Sequence, residues 1–112
     1  MSKSQRDKGQ RGERQACVVL AEHLGGEWRR GFQLRGQGQV EADVVSPAWP
    51  DLHTEVKVGK APPIAGARVQ AMGDAKPGQI PLVLDHKDRG TWWVSVRLED
   101  LVQLAHIVTG ND

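Results

Sequence analysis

A lone cysteine, Cys17, leaves no internal disulfide framework and no cysteine-cluster zinc site. Long apolar runs are missing too. The longest is Ala16 to Ala21, far short of the roughly 20 residues that a spanning helix needs, so no membrane partner is expected. Met1 to Arg14 is polar and charged and lacks the apolar core of a secretory signal, which predicts a cytoplasmic chain. There is no internal repeat and no long linker. What is present is 112 residues, 38% hydrophobic and 26% charged, the composition of one soluble globular domain. Residues 1–9 read as a flexible polar N-terminus and residues 10–112 as a single domain.

Net charge is also small, +1, and by itself predicts no partner. Its distribution is uneven. Residues 1–40 hold eight Lys or Arg against four acids, so the remainder is net negative. Arginine outnumbers lysine in that basic front, which suits phosphate contacts. A solvated surface with a basic tail has the same pattern.

The expected elements follow from periodicity. Gln10 to Leu24 is helical, with Glu13, Cys17, Leu20 and Leu24 in one stripe that Ala16 and Val19 widen. Gly25-Gly26 stops it. Trp28 to Gln39 is basic and glycine-broken, an edge strand that becomes a loop. Val40 to Val45 and His53 to Val58 alternate as strands, joined by the two-proline turn Ser46 to Asp51. Pro62-Pro63 opens a helix that runs to about Ala75. Ile80 to Leu84 is a buried strand, His86 to Gly90 a hairpin-type turn, and Thr91 to Val96 the last strand. Leu98 to Val108 closes as an amphipathic helix with Leu101, Leu104, Ala105 and Val108 inward. The predicted class is α/β, a central mixed sheet flanked by helices.

The chemistry centres on Asp43 with Glu55-Val56-Lys57. Alternation puts Glu55 and Lys57 on one strand face, about 6–7 Å apart. If strand 40–45 pairs with strand 53–58, Asp43 reaches the same face. Two carboxylates and an ammonium then converge, and a hard divalent cation with oxygen ligands relieves the repulsion. The Val56 carbonyl lies between them as a further ligand. Lys57 is then free to orient the attacking water and to stabilise charge developing at phosphorus. An ordinary exposed hairpin face carries the same short pattern. Glu13 lies on an apolar stripe, where a carboxylate needs a partner; its nearness to the helix start is the competing explanation.

Arg29, Arg30 and Arg35 border or lie in a glycine-rich loop that can grip a phosphate backbone. Lys60 follows the candidate strand and can do the same. Lys8, in the polar lead-in, and Arg11, on the first helix, are further candidate DNA contacts. His53 shares the face of Glu55. His23, His86 and His106 have no common spacing and read as surface or helix-end groups. The four tryptophans read as core or interface anchors, with Trp92 and Trp93 on opposite faces. Cys17 reads as inert core.

The order KGQRGERQACVVLAEHLGG, EADVV, HTEVKVGK, ARVQAMGDA, GQIPLVL and a last strand plus helix resembles the PD-(D/E)XK nuclease superfamily over roughly Lys8 to Leu104. It is similar to archaeal Holliday junction resolvases and to small phage-type endonucleases of that superfamily. The resemblance implies a restriction-endonuclease-like α-β-β-β-α-β-β-α core. It implies that Asp43, Glu55 and Lys57 occupy the motif positions, that Glu13 matches the first-helix glutamate, and that Gln70 matches a glutamine on the helix after the lysine strand. It implies magnesium or manganese held by Asp43, Glu55, Val56 and Glu13, and phosphodiester hydrolysis in DNA. Ala42 stands where the motif has proline, a residue that shapes the turn and coordinates nothing. The expected function is a metal-dependent endonuclease selective for branched DNA and acting as a homodimer, since cutting two strands takes two symmetric sites. A flap, nicking or packaging-associated phage nuclease of the same fold is the alternative within enzymes. A non-catalytic nucleic-acid-binding module is the alternative outside them. Compactness and resemblance suggest a phage or prophage source.

Overall fold

The computed structural model describes residues 3–34 and 39–110. Helix α1 (Lys3–Leu24) is followed by four two-residue strands, β1 (Arg29–Arg30), β2 (Gln33–Leu34), β3 (Gln39–Val40) and β4 (Val44–Val45). Then come β5 (Leu52–Gly59), α2 (Ile64–Asp74), β6 (Ile80–Lys87), β7 (Trp92–Val96), a 3-10 turn (Leu98–Asp100) and α3 (Leu101–Thr109). One mixed sheet has the order β1-β4-β5-β6-β7, and β2 with β3 forms a separate antiparallel pair. The fold is α/β, with a five-stranded sheet and three helices. No helix among the described residues is long and apolar enough to cross a membrane.

The centre is the parallel pair β5–β6, in register from Leu52↔Ile80 to Gly59↔Lys87. A parallel pair needs a long crossover, and α2 supplies it. The pleat sorts the side chains. Val44, Val56 and Leu84 pack with Ala16 of α1. Leu52, Ile80 and Leu82 pack with Leu104 and Ile107 of α3. On the opposite face Val83 packs with Ala67 and Ala71 of α2, whose small side chains let the helix lie close. Burying a side chain such as Ile80 or Val83 stabilises the fold by about 1.5–3 kcal/mol. Helix α1 approaches β5 at Gly12, where an added Cβ would stand 2.6 Å from Val58 Cγ2. Trp28 and Trp49 both donate their indole N–H to the Gly25 carbonyl, tying the end of α1 to the turn before β5.

Three elements differ from expectation. Helix α1 spans Lys3–Leu24, so residues 3–9 of the stretch expected to be a flexible tail are helical, and residues 3–8 are exposed. It carries no proline, and Asp7 stands four residues from both Lys3 and Arg11, spacing that favours a helix. The strand expected over Val40–Val45 is broken: β3 pairs with β2, and β4 joins the main sheet. Around Asp43 a side chain replaces the ladder, as described below. The inward face of helix α3 is shifted, with Val108 half-buried as expected. Leu104 and Ile107 pack on the sheet, whereas Leu101 is 47% exposed and Ala105 is also exposed. The preceding 3-10 turn, closed by Arg97 Nε donating to Asp100 Oδ2 at 2.7 Å, sets that phase.

Candidate functional site

Strand β4 pairs with β5 at Val44↔Thr54, and Asp43 meets the β5 edge by its side chain instead. The Val56 N–H donates to Asp43 Oδ2 at 2.9 Å. A strand residue turns its N–H and C=O to the same edge. The Val56 carbonyl therefore faces the Asp43 side as well. Gly31 makes this bend possible. Its N–H donates to the Asp43 carbonyl at 2.8 Å, and a Cβ on Gly31 would stand 1.7 Å from the Ala42 carbonyl oxygen.

A cavity of about 550 Å³ opens here, between α1 and the end of β5. Glu13, Asp43, Val56, Lys57 and Lys8 all line it, with Pro63 at its rim. Glu13 is half-buried, and Arg30 Nε donates to its Oε1 at 2.8 Å. The stripe position of Glu13 thus has a partner, and that partner is one of the arginines expected to touch phosphate. Glu55 stands behind Asp43, 1% exposed. His53 Nε2 lies 2.8 Å from Glu55 Oε1, and the Asp43 carboxyl adjoins Glu55 as well.

The two carboxyls are electrostatically one unit. Burial pushes Asp43 up to about 7, and the adjoining Glu55 and the more distant Glu13 charge add to that. Burial works upward on Glu55 too. Direct interaction with His53 and with the Asp43 carboxyl outweighs it, so Glu55 is held below its ordinary value. Asp43 therefore titrates near neutral pH beside an ionised Glu55, the division expected of two carboxyls that share a site. The Cys17 thiol, one helical turn from Glu13, is pushed up by burial and then by that charge, which fits inert core.

Other expected site residues lie elsewhere. Gln70 is exposed on α2 and does not line the cavity, because α2 turns Ala67 and Ala71 to the sheet and Gln70 outward. Lys60 is exposed beyond the end of β5. Arg29 is held bidentate by Glu41, at 2.9 and 3.0 Å, and lies over the Phe32 ring. Arg35 lies outside the described residues. Arg11 lines an adjoining cavity of about 440 Å³ with Lys8, His86, Asp88 and Arg89. Lys8 and Val58 line both cavities, so the two join along α1. His86 is not a plain surface group: it stacks on Trp92 with ring centroids 4.6 Å apart. Trp92 is partly buried there, and Trp93 is 67% exposed.

Two acids come into the neighbourhood that sequence reasoning did not single out. Asp85 is the register partner of Lys57 on β6 and is buried, which raises its carboxyl. The signal was present, since an aspartate ends the apolar run IPLVL. Asp74 closes α2. His53, Glu55 and Asp74 each offer a ligand atom within 4.8 Å of the others, so this group can hold a metal ion. Asp74 is 21 residues from His53, and only the antiparallel return of α2 over β5 brings them together. Glu13, Asp43 and Val56 line the cavity together, whereas Glu55 does not line it. No family model matches the chain, and neither a curated protein nor a solved structure gives a match.

Proposed function

We propose that the chain is a divalent-metal-dependent DNA endonuclease of the PD-(D/E)XK kind, with that superfamily's core order and a preference for branched DNA. The observation that carries this reading is one cavity lined by Glu13, Asp43, Val56 and Lys57, with Glu55 buried behind Asp43. Asp43, Glu55, the Val56 carbonyl and Glu13 would hold magnesium or manganese, which would supply positive charge against phosphate and a more acidic water.

The chain's own groups do the rest. Asp43 would act as a ligand in its ionised form, which burial and Glu55 disfavour without a cation. Arg30 holds Glu13 in place. Lys57 orients the attacking water and meets the negative charge that grows on the phosphoryl oxygens as the P–O bond to the leaving strand breaks. Pro63 and Ile64 bring the N-terminal end of α2 close to Lys57, where its partial positive charge favours the same phosphate. Lys8 and Arg11 lie where a strand leaving the cavity along α1 would pass. A homodimer belongs to this reading, because one domain carries one such cavity and two cuts need two.

The experiment is cleavage of a four-way junction, a flap, a nicked duplex and a plain duplex with magnesium or manganese. Preferential cutting of the junction supports the reading. Preference for the flap or nicked duplex transfers it to the flap or nicking class. Binding with no cutting of any substrate replaces it with a non-catalytic binding module.

A further inference from the structure

The geometry points to a second cation site, made by His53, Glu55 and Asp74 on the α2 face of the sheet, that takes a divalent transition-metal ion of the cobalt or zinc type in preference to magnesium. Three observations carry it. The donor atoms lie within 4.8 Å of one another, near the separations of about 3–4 Å that bonds of about 2.0–2.2 Å impose on neighbouring ligands. Two of the three donors are almost wholly buried, His53 at 2% exposure and Glu55 at 1%. Burying a carboxylate is costly, and a bound cation is one thing that offsets the cost.

The third observation concerns Asp74. It is the last residue of α2, where the helix presents carbonyls and partial negative charge, and the last turn contains no basic residue. An aspartate there is unfavourable unless a cation faces it. Asp74 is exposed, so it also provides the way in from solvent to the buried pair. The donor types choose the ion. Magnesium takes oxygen ligands and keeps its waters, whereas imidazole suits zinc and its neighbours in the first transition row. The His53–Glu55 hydrogen bond holds the two donors side by side at 2.8 Å before any ion arrives. Glu55 then belongs to two sites, with His53 and Asp74 on one side and Asp43 on the other. An ion at the second site ties the end of α2 to β5, which predicts stabilisation apart from any chemistry on DNA. The inference does not depend on the nuclease reading.

The test is titration of the full chain, without DNA, with cobalt(II) in excess magnesium. It is followed by the visible absorption of the ion and by thermal denaturation. Wild type should bind cobalt with a rise in Tm. Asp74→Asn, an exposed substitution that keeps the fold and leaves the Tm in EDTA equal or slightly higher, should weaken cobalt binding by more than about tenfold. Asp43→Asn should leave cobalt binding in place. His53→Gln, checked for folding in EDTA, should lose the imidazole signature in the cobalt spectrum. Absence of cobalt binding, or equal binding by wild type and Asp74→Asn, overturns the proposal. Loss in Asp43→Asn as complete as in Asp74→Asn also overturns it, because the ion then sits in one shared site rather than two.

Discussion

Replacing Asp43 by asparagine should make the metal-free protein more stable at alkaline pH, although it removes a residue of the proposed centre. In the folded chain Asp43 holds its proton up to about pH 7, against an ordinary 3.8. Between those values the folded state binds a proton that the unfolded state has released, so stability falls as pH rises through that window. Above pH 7 the whole penalty is present; below pH 3.8 it has vanished. At about 1.36 kcal/mol per pH unit the ceiling is about 4 kcal/mol. Glu55 shifts the opposite way and shares the same interaction, so about half that ceiling, ~2 kcal/mol, is the expected gain at pH 8. Asparagine keeps an oxygen for the Val56 N–H and brings no charge near Glu55. For a domain of this size that is a rise in Tm of roughly 8–10 °C. Calorimetry of both proteins in EDTA at pH 5 and pH 8 measures it. The gap should shrink at pH 5, and saturating magnesium at pH 8 should shrink it by stabilising wild type alone. An asparagine variant less stable than wild type at pH 8, or a gap equal at both pH values, refutes the reasoning.

Lys57→Ala should fold normally, since Val56 does the packing in that part of β5, and should lose about 10²–10³-fold in single-turnover cleavage, with arginine rescuing poorly. Gly31→Ala should cost about 2–4 kcal/mol in chemical denaturation, because its Cβ would stand on the Ala42 carbonyl and the Asp43 bend would have to open. Arg11→Ala with Arg89→Ala should flatten the salt dependence of DNA binding by about two units, one for each lost phosphate contact, measured by fluorescence anisotropy. An unchanged slope would take the adjoining cavity out of the binding surface.

The long elements were legible in the sequence because each obeys a single period. The apolar stripe of α1 is compatible only with a helix, and the run from Ile80 to Leu84 only with a buried element. The short ones were not. Val40 to Val45 alternates as a strand should, yet the Asp43 carboxylate takes the Val56 N–H and bends the chain away from a regular ladder. No local pattern encodes a contact across 13 residues. Asp43, Glu55 and Lys57 were legible as candidates from alternation and motif order. Their division into a buried Glu55, an Asp43 that titrates near neutral pH and a cavity-lining Lys57 depends on α2 covering one face and α1 the other. Arg29 and Arg30 read as phosphate contacts because they are basic and flank glycines. Their partners Glu41 and Glu13 sit 12 and 17 residues away and come within reach only once the sheet forms. Gln70 was placed by motif order, which carries no information about helix phase; Ala67 and Ala71 decide that phase by filling the sheet face.

The most direct test of the central claim is single-turnover cleavage of an end-labelled four-way junction by wild type and by Glu55→Gln, with magnesium and with EDTA, with binding measured in parallel. The account predicts cutting by wild type only when magnesium is present. It predicts loss of cutting in Glu55→Gln at undiminished junction affinity, because the buried carboxylate serves the metal rather than the DNA. Wild-type cutting in EDTA, or a Glu55→Gln protein that cuts at the wild-type rate, would contradict it.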